Sequence, residues 1–172
     1  MKLFRRNFTA TVILSKLTIF AVVAVRVTIL FQNPVRLLHH YLRSWALPEK
    51  MVTFRNGRRI FLSSYPNDLV TIMVLFGKNE YGDIPNDGIV VDIGANIGAF
   101  CVYAKLHGAK RVIACEPNKE SFEILQKNIT ENGFEDSVTA LNIAVSSEDD
   151  QCVYIPIASD PNNSTRKQVE NE

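Results

Sequence analysis

Two carboxylates occupy positions where a site that binds a nucleoside would need them. Asp92 interrupts an apolar run over residues 89–93, and the glycines Gly94 and Gly98 follow it. Glu116 ends a second apolar run over residues 111–115, about 20 residues beyond those glycines. The tips of neighbouring parallel strands lie side by side, so an acid at the second tip can accept hydrogen bonds from ribose hydroxyls. The spacing therefore predicts a nucleoside-containing ligand held between the two strand ends.

The loop between the first strand and its helix distinguishes two cofactors. A dinucleotide loop follows G-x-G-x-x-G, in which the second glycine lets a pyrophosphate approach the backbone. Asn96 stands at that position here, between Gly94 and Gly98. The pattern Asp92-x-Gly94-x-Asn96-x-Gly98 instead resembles the first motif of S-adenosylmethionine-dependent methyltransferases. A nicotinamide-dependent oxidoreductase is the first rival interpretation.

Three successive blocks of sequence narrow the resemblance. They begin at Val91 (VDIGANIGAF), Val112 (VIACEPN) and Asn128 (NITENG), and they resemble blocks of the FkbM family of methyltransferases. Phe54-Arg55-Asn56-Gly57, Asp68 and Tyr81 also match recurring features upstream, so the resemblance covers roughly residues 50–165. It implies O-methylation of a hydroxyl on a sugar or another metabolite, with a small-molecule or glycan acceptor.

The resemblance also implies which residues contact S-adenosyl-L-methionine. Asp92 and the loop backbone would face the methionine end of the cofactor, and Glu116 would hold the ribose. The predicted cofactor-binding residues are Asp92, Gly94, Ala95, Asn96, Gly98, Glu116, Pro117 and Asn142. The general base is not assigned, and no metal is expected.

The predicted fold that positions these residues is α/β. It corresponds to the first half of the sheet of a Rossmann-like class I methyltransferase. Residues 1–48 are predicted as an N-terminal helical segment and residues 49–88 as a β-hairpin and helix leading into the domain. Residues 89–158 form an incomplete S-adenosylmethionine-binding core, with strands covered on both faces, and residues 159–172 a disordered polar tail. Helices are expected over residues 99–107 and 119–132, and a third strand over residues 138–145.

The later strands of a methyltransferase sheet are not found in the sequence, and neither is the D-x-E-G motif that the FkbM resemblance leads one to expect. We therefore expect either a fragment or a site completed by another chain. The first strand would then be an apolar edge that favours self-association, which predicts poor solubility or inactivity for the chain alone. A non-catalytic assembly module completed by a partner is the second rival interpretation.

Residues 8–31 are apolar and long enough to cross a bilayer, except for Lys16 and Arg26. A cation near the centre of a spanning helix costs about 2.5 to 3.5 kcal/mol. Three alternatives stay open: a helix packed on the domain or lying at a membrane surface, a signal anchor, and a cleaved signal peptide. The first is favoured, because export would separate the enzyme from a cytosolic cofactor.

Composition adds few constraints. The formal net charge of +1 gives no general reason to expect nucleic acid, so none is predicted as a partner. Cys101, Cys115 and Cys152 are widely spaced within apolar runs, which indicates small buried side chains rather than a disulfide or metal site. The predicted location is the cytoplasm, with membrane association through residues 8–31 left open.

Overall fold

The computed structural model of this chain describes residues 2–146, 153–154 and 167–168, with side chains described from Val12 to Ser146. Five α-helices lie in this part of the chain: α1 (Lys2–Leu30), α2 (Pro34–Leu42), α3 (Pro66–Ile72), α4 (Ala99–Leu106) and α5 (Lys119–Glu131). A π-helical segment, Met73–Lys78, continues α3. The strands are β1 (Met51–Thr53), β2 (Arg59–Phe61), β3 (Ile89–Ile93), β4 (Arg111–Cys115), β5 (Val138–Leu141), β6 (Val153–Tyr154) and β7 (Lys167–Gln168).

A parallel three-stranded sheet in the order β3-β4-β5 carries the predicted site. Asp92 pairs in register with Ala114, which pairs with Ala140. Helices α4 and α5 supply the two crossovers, as the alternation of apolar strands with amphipathic helices predicts. The α/β, Rossmann-like prediction is confirmed, and the carboxyl ends of all three strands meet at one edge of the sheet.

One face of β3 differs from the prediction. The side chains of Ile89, Val91 and Ile93 are 67%, 58% and 64% exposed, whereas the expectation was a strand covered on both faces. Strand β3 pairs only with β4 within the described residues, so it is an edge strand there. The alternation of exposure along it shows that the described helices cover a single face of the sheet.

The sequence Asn56-Gly57 between alternating apolar residues predicts a hairpin with a two-residue type I′ turn, but the structure has a different turn. Gly57 has a φ of 88°, but Asn56 lacks the positive φ that a type I′ turn requires of both residues. The Phe54 amide donates to the Arg58 carbonyl at 2.8 Å and closes a three-residue loop instead. The predicted alternation survives this change, because the apolar side chains at positions 52, 54, 60 and 62 are all buried.

The last turns of α1 are part of the protein core. Val23 and Val27 are buried against the π-helical segment, where a Cβ on Gly77 would lie 3.0 Å from Val23 Cγ1. The Arg26 guanidinium donates to the Lys78 carbonyl at 3.2 Å, at the end of that segment. The apolar run after Asp68 predicts a helix from Asp68 to about Phe76. In the structure this helix begins at Pro66, continues through the π-helical segment to Lys78, and packs on α1 and α4.

Only four residues are described beyond Ser146. Val153–Tyr154 pairs antiparallel with Lys167–Gln168. The remainder of the predicted tail, 159–172, and Cys152 lie outside the described residues.

Candidate functional site

Residues 94–98 form a tight loop from β3 into α4. Gly94, Asn96 and Gly98 have φ values of 79°, 48° and 78°, all in the left-handed region. Asparagine adopts this region more readily than most residues with a side chain, which explains why Asn96 can replace a glycine. A Cβ on Gly98 would clash with the Leu125 side chain, so this glycine lets α5 pack directly on the loop.

Glu116 fixes the loop to the tip of β4. Its side chain is 7% exposed, its Oε2 accepts a hydrogen bond from the Asn96 amide at 2.7 Å, and its Oε1 accepts one from the Asn118 amide at 2.7 Å. A carboxylate offers about four lone-pair sites, so two remain after these bonds. The geometry shows Glu116 as a clamp on the loop, while its predicted contact with a ribose stays a prediction.

Asn142 joins the tips of β4 and β5. Its side-chain amide donates to the carbonyls of Glu116 at 2.8 Å and Pro117 at 3.2 Å. The Glu116 amide donates in turn to the Leu141 carbonyl at 3.0 Å. Asn142 thus holds the second and third strand ends together, next to the loop of the first.

A cavity of about 470 Å³ opens beside the loop. Four of the predicted cofactor-binding residues line it: Asp92, Gly94, Ala95 and Asn96. Gly98, Glu116, Pro117 and Asn142 lie behind the loop or at the neighbouring tips and do not line it. Tyr81 lines the cavity as well, and its ring centroid is 5.0 Å from that of Phe100.

The carboxylate of Asp92 is in an unfavourable environment for a charge. Burial raises its pKa, a hydrogen bond from Cys101 Sγ at 3.4 Å lowers it, and the nearby charge of Glu116 raises it again. Burial and the adjacent Asp92 also raise the pKa of the Cys101 thiol, which is therefore protonated and poorly nucleophilic. Neither ion pair seen in the described part of the chain, Arg36–Glu49 and Lys78–Glu80, involves Asp92.

Asn128 is a positioning residue that sequence reasoning missed. Its side chain is fully buried on α5, and its Nδ2 donates to the carbonyls of Ile97 at 2.8 Å and Phe61 at 2.9 Å. Its Oδ1 accepts from the Phe61 amide at 2.6 Å, so one side chain joins the loop over residues 94–98 to β2. The signal in the sequence was an amide between Leu125 and Ile129 on the face of the helix that is otherwise apolar.

Comparison with known proteins agrees with this geometry. The TRM5/TYW2 methyltransferase domain family matches residues 80–158. The methyltransferase sdnD of Sordaria araneosa is 30% identical over 87 residues, which cover 50% of this chain and 34% of that protein. The chain therefore spans about a third of the length of this curated relative.

Two solved structures are similar over part of the chain. The PRMT1 enzyme–prozyme complex of Trypanosoma brucei with AdoHcy is 28% identical, covers 33% of this chain and 17% of that one, and has a TM-score of 0.31. The complex of aTrm5 with tRNALeu is 24% identical, covers 58% and 30%, and has a TM-score of 0.44.

The expectation of no nucleic-acid partner is corrected by these matches, because aTrm5, a protein similar to this chain, is bound to tRNALeu in its solved complex. The physical reason is that a net charge near zero says nothing about local charge. Arg55, Arg58 and Arg59 flank the hairpin loop in the sequence of this nearly neutral chain. The Arg55 side chain donates to the Thr28 carbonyl, and that of Arg58 donates to the Asn132 carbonyl.

The matches support the broader resemblance and not the FkbM family specifically. The cavity also fits the cofactor, since the partly buried Asp92 carboxylate at its wall suits a ligand that carries positive charge. Residues 80–158 are therefore similar to an S-adenosylmethionine-dependent methyltransferase domain, and they have a Rossmann-like fold.

Proposed function

We propose that the loop over residues 92–98 binds the methionine end of S-adenosylmethionine and that Glu116 and Asn142 shape the nucleoside end. The observation that carries this proposal is the Asp92 carboxylate, which lines the cavity and is partly buried there. A ligand with an ammonium or sulfonium group would supply a compensating positive charge. A dinucleotide would bring phosphates toward the same carboxylate, which is unfavourable.

The chain's own contribution to the reaction is positioning. When bound, S-adenosylmethionine supplies an electrophilic methyl group. The clamp from Glu116 to the Asn96 amide fixes the loop before the ligand arrives, so little ordering is needed on binding. Tyr81 and Phe100 would exclude water from one side of the cavity.

For the methyl acceptor we propose RNA. The match to the TRM5/TYW2 domain supports this choice, together with the tRNA complex of aTrm5. The arginines around the hairpin loop would contribute phosphate contacts. A hydroxyl on a sugar or another metabolite is the second candidate, supported by the FkbM-like sequence blocks.

Binding of S-adenosylhomocysteine, measured by calorimetry, tests the cofactor site. We expect the change Asp92→Asn to weaken binding about tenfold or more, because a charge-assisted hydrogen bond contributes about 1.5 to 3 kcal/mol. The matched control is Asp87→Asn, the same change in an exposed turn before β3, which should leave the affinity unchanged. Equal affinity of wild type and Asp92→Asn, or tighter binding of NAD than of S-adenosylhomocysteine, would contradict the proposal.

Transfer of a labelled methyl group from S-adenosylmethionine tests the acceptor separately. Total tRNA and a mixture of small hydroxylated metabolites are offered in parallel to the full chain and to the Asp92→Asn variant. Label in tRNA that depends on Asp92 supports the first candidate, and label in the metabolites supports the second. Cofactor binding without label in either fraction would overturn both acceptor proposals and leave the cofactor site standing.

A further inference from the structure

Helix α1 exposes a continuous apolar stripe along the side that faces away from the domain. Its members lie within an arc of about 160° around the helix axis and are all more than half exposed: Ile13 (53%), Leu14 (67%), Leu17 (60%), Val25 (59%) and Ile29 (65%). Ile19, which is 52% exposed, lies outside this arc. The stretch Val12–Leu30 is long and apolar enough to cross a membrane by length and composition. A solvent-exposed surface of this kind marks a contact with a membrane or another protein.

Lys16 and Arg26, the two cations within the apolar stretch Val12–Leu30, lie away from the stripe. Lys16 precedes the buried residues Val23 and Val27 by seven and eleven positions, which places it within about 20° of each of them around the helix axis. Lys16 therefore points to the side on which the domain lies. Arg26 also turns inward, because its guanidinium donates to the Lys78 carbonyl.

Because the cations and the stripe lie on different sides of α1, a helix that spans a bilayer can be distinguished from one that lies in its plane. A helix that crossed the membrane over Val12–Leu30 would place the Lys16 backbone about 6 Å inside the hydrocarbon, where a cation is costly unless its side chain reaches the interface. It would also leave Val25 and Ile29 in water beside the domain, since Val23 and Val27 are packed on protein at the same level. A helix lying in the membrane plane buries the whole stripe, about 25 Å long, and keeps Lys16 on the aqueous side.

We infer that α1 lies in the plane of a lipid bilayer, with the stripe from Ile13 to Ile29 inserted and the domain seated on the opposite side of the helix. Lys2, Arg5 and Arg6 precede the stripe in the sequence and add positive charge at this end of the chain. The occupant that fits both features is a bilayer with anionic headgroups, because apolar insertion and electrostatic attraction then act together.

Flotation with vesicles tests the inference. The full chain, purified in mild detergent, is mixed with vesicles of phosphatidylcholine containing 30% phosphatidylserine, the detergent is removed, and the floated fraction is measured. Wild type should float, and the double variant Leu14→Glu and Leu17→Glu should float at least tenfold less. The matched control is Ile89→Glu with Val91→Glu, two residues of similar exposure on the sheet, which should float like wild type. Circular dichroism of each variant checks that the fold is retained.

Two adjacent cysteine variants then test the orientation. With protein bound to vesicles, a membrane-impermeant maleimide should label Lys16→Cys and fail to label Leu17→Cys, each compared with the labelling of wild type. Protection of both positions would indicate a spanning helix and overturn the inference. Labelling of both positions, or absence of flotation, would overturn the inference in favour of a helix exposed to water. A soluble dimer that the Leu14→Glu and Leu17→Glu changes abolish would overturn it in favour of a second copy of the chain.

Discussion

At the scale of one residue, the Asp92 carboxylate affects stability, and by our proposal it also contributes to ligand binding. Burial and the charge of Glu116 raise its pKa above the ordinary 3.8, and the hydrogen bond from Cys101 only partly opposes this. A carboxyl whose folded pKa exceeds its unfolded value binds more protons in the folded state. The free energy of unfolding therefore falls as pH rises from 3.8 through the folded pKa, and the loss persists at neutral pH.

We therefore predict that Asp92→Asn raises the free energy of unfolding at pH 7. The gain should shrink as the pH is lowered toward 3.8, because the wild-type carboxyl is then protonated and neutral as well. Urea unfolding at pH 7 and pH 4 measures the difference, provided that the chain unfolds reversibly. A gain that is equal at both pH values would show that charge burial is not its cause.

The same variant is expected to bind S-adenosylhomocysteine less tightly, so stability and affinity should change in opposite directions. Such opposition is typical of a residue kept for function, since a purely structural residue would lose both together. The exposed Asp87→Asn variant again serves as the control for removal of one negative charge.

At the scale of elements, the Asn128 side chain makes the backbone hydrogen bonds to Phe61 that a neighbouring strand would otherwise make. It pairs with both backbone groups of Phe61 and, through the Ile97 carbonyl, holds the cofactor loop against α5. Asn132, one turn further on, repeats the pattern by donating to the Arg59 carbonyl at 2.7 Å. The hairpin is thus bound to the helix by amide side chains.

We predict that Asn128→Ala lowers the free energy of unfolding by about 2 to 4 kcal/mol, because it leaves buried backbone groups without partners. Thermal unfolding followed by circular dichroism measures the loss. Gln126→Ala is the control, since it removes an exposed amide from the same helix and should change stability by less than about 0.5 kcal/mol. Equal effects of the two changes would mean that the network around Asn128 contributes little.

The elements that were predictable from sequence are those with a strong local pattern. Strands β3 and β4, helix α5 with its Asn118 cap, and the alternating hairpin all follow from apolar spacing and capping residues. The π-helical segment, the three-residue loop at Gly57 and the role of Asn128 depend on contacts between distant residues. Nothing at positions 126–130 alone shows that the Phe61 backbone, 67 residues away, needs a partner.

In the candidate site, too, some features were predictable from the sequence and others were not. The positions of Asp92, Gly94, Asn96 and Glu116 at two adjacent strand tips were predictable from their spacing. The clamp from Glu116 to the Asn96 amide was not, because it depends on the exact approach of the two loops.

At the scale of the whole molecule, the sheet presents an open edge and an open face. Strand β3 has one neighbour among the described strands, and Ile89 and Val91 are more than half exposed on its uncovered face. Unpaired backbone groups beside apolar side chains are a template for strand addition. The α1 stripe is a second apolar surface, so an experiment must distinguish association through β3 from association through α1.

We predict that the chain self-associates through β3 when α1 is kept in a fixed concentration of mild detergent. Ile89→Glu with Val91→Glu should shift sedimentation toward the monomer, because like charges on the edge strand oppose strand pairing. Since both side chains are exposed in the monomer, the change should not lower the thermal midpoint greatly. The control is Leu14→Glu with Leu17→Glu, which alters the other apolar surface by the same charge. If that α1 variant alone restored the monomer, association would occur through the helix, and β3 would have to be covered in some other way.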